Sequence, residues 1–289
     1  MVWTLADAVA NEQDPFRRGV LSVFWMESSL MGSLPWETIN RLKIEMRRIA
    51  RLGLTKSSWV AIDQALTTAT INLDSLEEEV FKLGRDVDIP RDLANLDGQF
   101  EDPMTLNVEA HLKSLAYEFN DAVINGPNLG PTQDADANAI TGLAVRASAK
   151  AALAGLGDAV VSVGGVGTPT PFGPTASSAN RHTVLDAIDQ AMYFIDGHSP
   201  DWGACNDSLL RAFNSALRRE GTLFAQTRDQ FGRWVNEYRS VPIYDVGLLF
   251  DQTTRIITNS ENPNGGAANQ TSLYLVKNGV ASHVHGFEK

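Results

Sequence analysis

The chain has 289 residues, 43% of them hydrophobic, and its 24 Lys and Arg against 35 Asp and Glu leave a net charge of −11. That length supports a sizeable core and one or two domains. The acidic balance excludes a simple basic nucleic-acid binder, although local surfaces can differ from the sum. Cys205 is the single cysteine, so no disulfide forms within the chain and a cytosolic setting is favoured. No run of about 18 apolar residues is present to span a membrane. The N-terminus lacks the basic start and apolar stretch of a signal peptide, and no repeat of fixed period is visible.

Residues 1–30 predict two short helical pieces. The first covers about residues 5–13; the second starts at Asp14-Pro15 and carries Val20, Leu21, Phe24 and Trp25 toward one side. Neither is long enough to stand alone, so their apolar faces need the body of the chain or a neighbour. Ser33-Leu34-Pro35-Trp36 marks a break. Residues 37–51 suit a helix through Ile39, Leu42, Met46 and Ile49, and a strand through Leu42, Ile44 and Met46. Residues 67–73 are β-branched and favour a strand. The whole of 37–73 has too few apolar residues for its own core and predicts an extended, hairpin-like loop ordered by other chains. Strand character recurs at Val80-Phe81 and at 87–89, with a bulge or close approach at Gly84.

The strongest single element is a helix over 103–125. Asp102 can cap it, Pro103 suits its first position, and Asn125-Gly126-Pro127 ends it. Leu112, Leu115, Phe119 and Val123 form an apolar stripe along it. At ~1.5 Å per residue it is a rod of roughly 35 Å. Residues 128–137 read as a linker. An Ala-rich helix follows at 139–156, then a short strand at 160–163 and a Gly/Pro loop at 164–178. A helix over 184–196 has Thr183 as its expected cap, and one over 208–219 has Asp207. Beyond it, 232–238 and 241–249 predict a hairpin across Arg239-Ser240, 253–258 a further strand, and Asn278-Gly279 a hairpin turn between 272–276 and 280–284.

The search for chemistry returns little. The glycines at 164–167 lack the spacing of a phosphate loop, and Pro169 and Pro171 would break a following helix. His283 and His285 alternate but have no third ligand. Cys205 has no His near it in sequence and reads as a buried thiol. Glu77-Glu78-Glu79 read as a solvated face. No catalytic, cofactor-binding or metal residue is assigned. Trp3, Trp25, Trp36 and Trp59 fall in the first 60 residues, which can bury least on their own. They are either ordinary packing residues or anchors for neighbouring subunits.

Several segments, in order, resemble the major capsid protein of tailed bacteriophages, whose fold also builds the encapsulin compartment shell. LPWETIN at 34–40 is similar to the start of that family's extended loop, and 44–70 to the loop's two arms. VFKLGRDVDIPRDL at 80–93 resembles the family segment "lkilGGDvDVdr" that leads to its spine helix. Residues 185–221 resemble the paired helices of its axial domain, and SLYLVKNGV at 272–280 a later strand. FGRWVNEYRSVPIYDVG at 231–247, similar to "fGr.v.tyrGvPi.dvG", is the most specific match. Ser240 stands where the family usually has Gly, and Gly84-Arg85 where it has Gly-Gly. In the family the chain runs on into strands that return to the spine domain.

The resemblance implies an α+β fold with an N-terminal arm (1–33), an extended loop (34–73), a peripheral domain (74–130) around the spine helix 103–125, and an axial domain (131–289). It implies a structural protein, not an enzyme, that assembles through hexamers and pentamers of itself into an icosahedral phage head. That head would enclose double-stranded DNA without sequence-specific binding. Scaffold, portal and decoration proteins would be partners, no cofactor or membrane is needed, and the product is a virion assembled in the host bacterial cytoplasm. Arg47, Arg48 and Arg51, with Lys56 near the loop tip and the four tryptophans, are the assembly-contact candidates. The alternatives are an encapsulin-type compartment shell and a soluble enzyme using the 164–173 loop.

Overall fold

The computed structural model describes residues 26–51, 62, 72–84, 86, 88, 103–126, 139–152, 178–195, 199–219, 225–228, 234–261, 271–279, 284 and 286–288. The expected helical pieces within 1–25, the 160–163 strand, the 164–178 loop up to its last residue and Asp102 lie outside them. The chain is a mixed α and β fold, with nine strands and four α-helices among the described residues.

Helix α1, Pro103–Asn125, is the predicted rod. It stops at Gly126, whose φ of +63° is costly for any residue with a Cβ. Its C-terminal turn touches the chain entering α2, Leu143–Ala152, backbone to backbone. A Cβ on Gly142 would lie 2.4 Å from the Gly126 amide nitrogen, and one on Gly126 would lie 2.3 Å from the Gly142 nitrogen. The two glycines are therefore a pair that permits this contact. The buried face of α1 differs from the expected apolar stripe. Ala116, Asn120, Asp121, Val123 and Ile124 are buried, Phe119 packs on the core, and Leu112 and Leu115 are only half-buried. The polar pair is buried because each side chain makes a directional bond, as described below.

The central sheet has five strands in the order β5-β6-β7-β4-β8. They are β4 (Trp202–Cys205), β5 (Ala225–Arg228), β6 (Trp234–Tyr238), β7 (Val241–Asp245) and β8 (Tyr274–Val276). β4 is wholly buried and alternates strictly between two cores. Trp202 and Ala204 join Leu30, Leu34, Val123, Ile124, Val246, Leu249, Ile256 and Ile257 on one side. Cys205 joins Val184, Phe213, Ala216 and Leu217 on the other, beneath α3 (Ser178–Tyr193) and α4 (Asp207–Arg219). The sheet is thus a middle layer, and the α1 side draws its core from residues far apart in sequence.

The β6–β7 hairpin forms as expected, with Tyr238 opposite Val241. Its turn residues Arg239 (φ 51°) and Ser240 (φ 66°) both take the left-handed conformation, as a twist-matched two-residue turn demands. Tyr238 donates to Asp189 Oδ1 (3.0 Å) and Arg239 pairs with Asp189 (2.7 Å), tying the turn to α3.

Four local expectations are corrected. α3 begins at Ser178, so Thr183 lies inside it, because nothing in 178–183 breaks a helix. Asn206, not Asp207, caps α4, its Oδ1 accepting from the Leu209 amide at 2.8 Å. Residues 253–258 form no strand beyond an isolated Leu248–Arg255 bridge, since Asp251 draws the Thr253 and Thr254 amides into a turn (3.0 and 2.9 Å). Across Asn278-Gly279, where an antiparallel pair is expected, Asn278 bridges to Val284 in parallel, residues 280–283 lying outside the described residues; the Asn278 side chain reaches Ser33 O (2.7 Å) while accepting from Trp202 Nε1 (2.9 Å). Strand β9, Gly286–Glu288, then pairs in parallel with β1, Trp36–Thr38.

Two substitutions test the backbone argument by urea unfolding. Gly142→Ala is expected to destabilise the chain by about 3 kcal/mol, because backbone on both sides resists the added methyl. Ser240→Gly is expected to stabilise it by about 1 kcal/mol, by relieving the left-handed conformation. Neutral effects at both sites would refute the close approach and the turn geometry.

Candidate assembly surface

The predicted loop 37–73 is a two-stranded ribbon at its described end. β2 (Lys43–Arg51) runs antiparallel to β3 (Asn72–Glu79), with a register slip between Ile49 and Arg51. The helical alternative for 37–51 is therefore not adopted. Val80-Phe81, expected to be a strand, form none: β3 ends at Glu79, residues 80–84 have no regular structure, and Val80 closes the ribbon by donating to Leu42 O at 2.9 Å. Gly84 makes no close approach.

Charge holds the foot of the ribbon in register. Lys43 Nζ pairs with Glu77 (2.6 Å) and Glu79 (3.5 Å), and those carboxylates push the amine above its ordinary range, Glu77 foremost. Arg146 of α2 reaches Glu78 at 2.5 Å. So the acidic run is largely exposed, as expected, but one member is tied to the body. Exposed pairs of this kind add little stability in water, and they choose register more than they hold the fold. The two strands pair only with each other among the described residues, leaving both outer edges without a sheet partner there.

Of the sequence candidates, Arg47, Arg48 and Arg51 lie on β2, opposite Ser75, Asp74 and Asn72. Trp36 lies on β1, half-buried, its ring 6.0 Å from Phe119 and its Nε1 donating to Met31 O at 3.2 Å. It joins β1 to α1. Trp3, Trp25, Lys56 and Trp59 lie outside the described residues. The structure brings Trp36 to the helix and the arginines to the ribbon, two separate places.

Sequence reading did not single out two exposed features. Trp234 on β6 is 63% exposed and stacks under the Arg228 guanidinium at 4.7 Å, beside the edge strand β5. On the outer face of α1, Leu106, Tyr117 and Phe250 line an open groove of about 410 Å³. Lys113 crosses it, pairing with Glu109 (3.0 Å) and Glu27 (3.6 Å). Arg228 and Trp234 sit at opposed register positions, a signal that required knowing the pairing.

Several buried polar side chains act as latches. Asn206 Nδ2 donates to Ile257 O (3.0 Å), Asn259 Oδ1 (2.7 Å) and Thr271 Oγ1 (3.0 Å), and Arg255 bonds Asp207 at 2.5 Å. That bond holds the Asp207 carboxyl below its usual range. Cys205 is buried, and burial, then the charges of Asp245 and Asp207, push its thiol far upward. His111 is half-buried on α1 and His182 exposed on α3; His198, His283 and His285 lie outside the described residues. No group of three or more metal-ligating side chains occurs among the described residues. No described helix is long and apolar enough to cross a membrane.

A thiolate at Cys205 is disfavoured, so a negatively charged disulfide reagent is expected to leave the native thiol untouched at pH 8 and to titrate it fully in denaturant. Rapid reaction of the native protein would reopen the reading of Cys205 as a nucleophile.

No family model matches the sequence, and no curated protein matches it. Among solved structures the chain is similar to the holo-SrpI encapsulin complex from Synechococcus elongatus, at 15% identity and a TM-score of 0.49, over 86% of this chain and 65% of that one. It is also similar to a structure of Mycobacterium phage Cain, at 14% identity and a TM-score of 0.38, over 97% of this chain and 99% of that one. This chain thus spans 65% of the length of the encapsulin chain. Both scores are too low to carry an assembly, partner or activity across.

Proposed function

We propose that this chain is a structural, shell-forming subunit whose work is enclosure, not catalysis. The observation that carries the reading is the β2–β3 ribbon. It is two-stranded, charged and unpaired on both outer edges among the described residues. A ribbon of this kind is marginal alone in water and gains order from a second surface. In a shell that surface is the next copy, and heterologous contacts of this type close into rings. The sequence resemblance, which runs in order from residue 34 to residue 280, supports the same role.

In this reading residues 1–33 are an arm, 34–73 the loop, 74–130 a peripheral domain and 131–289 an axial domain. The shell is a phage head built of hexamers and pentamers, assembled in the host cytoplasm with scaffold, portal and decoration proteins, and it holds DNA without gripping it. The net charge of −11 suits a container that repels its contents. Arg47, Arg48 and Arg51 on the ribbon would meet an acidic surface of the neighbour. The second reading is an encapsulin-type compartment that encloses protein, which the same shell geometry serves equally well.

Electron microscopy of the purified chain after sizing chromatography tests this directly. Hollow polyhedra or five- and six-fold rings are expected. Nuclease-protected DNA inside particles made during infection favours the phage head, and co-purifying protein favours the compartment. A chain that stays monomeric at every concentration, also when co-expressed with scaffold, overturns both. Charge reversal at Arg47, Arg48 and Arg51 is expected to abolish particles while leaving the far-ultraviolet circular dichroism unchanged.

A further inference from the structure

Asp121 lies on α1 with its side chain wholly buried. Its Oδ1 accepts from Asn125 Nδ2 at 2.6 Å, while Oδ2 has no partner among the described residues. The same Asn125 amide donates to Ile256 O at 3.1 Å. One helix turn earlier, Asn120 accepts from Ser28 Oγ (2.6 Å) and donates to Val246 O (3.4 Å). The segment 246–257, which contributes Val246, Leu249, Ile256 and Ile257 to the core, therefore hangs on α1 at both ends by amide side chains. Asp121 stands behind one of these two hooks.

We propose that Asp121 is a proton-operated joint between α1 and the 246–257 segment: neutral, it holds the joint closed, and ionised, it loosens it. A buried carboxylate with an unsatisfied oxygen carries a large desolvation cost that the neutral acid avoids.

No cation among the described residues offsets the charge. From its own helix Glu118 adds a repulsive carboxylate. From the 246–257 segment, Arg255 is committed to Asp207. Asp245, just before it, accepts from the Gly247 amide. From α2, Arg146 is spent on Glu78 and on Thr141 O. Lys113 lies in the outer groove with Glu109 and Glu27. Burial accordingly pushes Asp121 up to about 6. Because the folded value exceeds the unfolded one, the cost is absent below about pH 4, grows between 4 and 6, and is fully present above.

The test compares wild type with Asp121→Asn, which is neutral at every pH. Asp121→Asn is expected to match wild type in Tm at pH 4 and to exceed it by about 5 °C at pH 7.5. In wild type, hydrogen-exchange protection of residues 247–257, corrected for intrinsic rate, is expected to fall about threefold or more between those pH values. In Asp121→Asn it should stay level. An equal Tm difference at both pH values, or unchanged protection in wild type, overturns the proposal. If the variant does not fold, the wild-type exchange profile decides alone. Neither readout depends on whether the chain forms a shell.

Discussion

The structure depends on how the last two turns of α1 are buried. A purely apolar helix face packs without direction and tolerates sliding by a residue or two. This one buries Asn120 and Asp121 alongside Val123 and Ile124, and Asn125 reaches out from its last turn. Each amide must find a partner or pay the desolvation of an orphaned polar group. The partners are Ser28 before the ribbon and the carbonyls of Val246 and Ile256 beyond the hairpin. So three distant parts of the chain meet in one register. The Gly126–Gly142 contact adds a second constraint, because it sets how closely the chain entering α2 passes the helix end.

The central sheet follows from that placement. β4 is short and wholly buried, and its neighbours on either side come from far along the chain, its β7 partners 40 positions later and its β8 partners 70 to 74 positions later. Asn206 and Asn278 repeat the device used on α1, each tying one end of the β4 region to remote loops. Among the described residues, the β5–β6 edge and the outer groove of α1 present exposed apolar side chains, Trp234, Leu106 and Phe250.

The elements legible in the sequence were those governed by local rules. The limits of α1 follow from Pro103 at its start and Gly126 at its end. The β6–β7 hairpin follows from alternation on both sides of a two-residue gap. The buried state of Cys205 follows from the general tendency of a lone cysteine to pack inside. Resemblance over 231–247 added what local rules could not, a likeness to shell proteins.

What the tertiary structure decided were the cases in which a side chain could serve either a local or a distant partner. Asn278-Gly279 has the local chemistry of a hairpin turn, yet its side chain satisfies Ser33 and Trp202. Asp207 has the chemistry of a cap, yet Asn206 takes that place and leaves Asp207 for Arg255. Leu112 and Leu115 complete an apolar stripe on paper, yet Asn120 and Asp121 occupy the buried side. The sequence by itself determined the helices, the hairpin and the acidic balance, because propensity, periodicity and charge act between neighbours in the chain. Only the folded chain decided which polar groups go inside, because a buried hydrogen bond is worth forming only once the partner across the core has been brought to it.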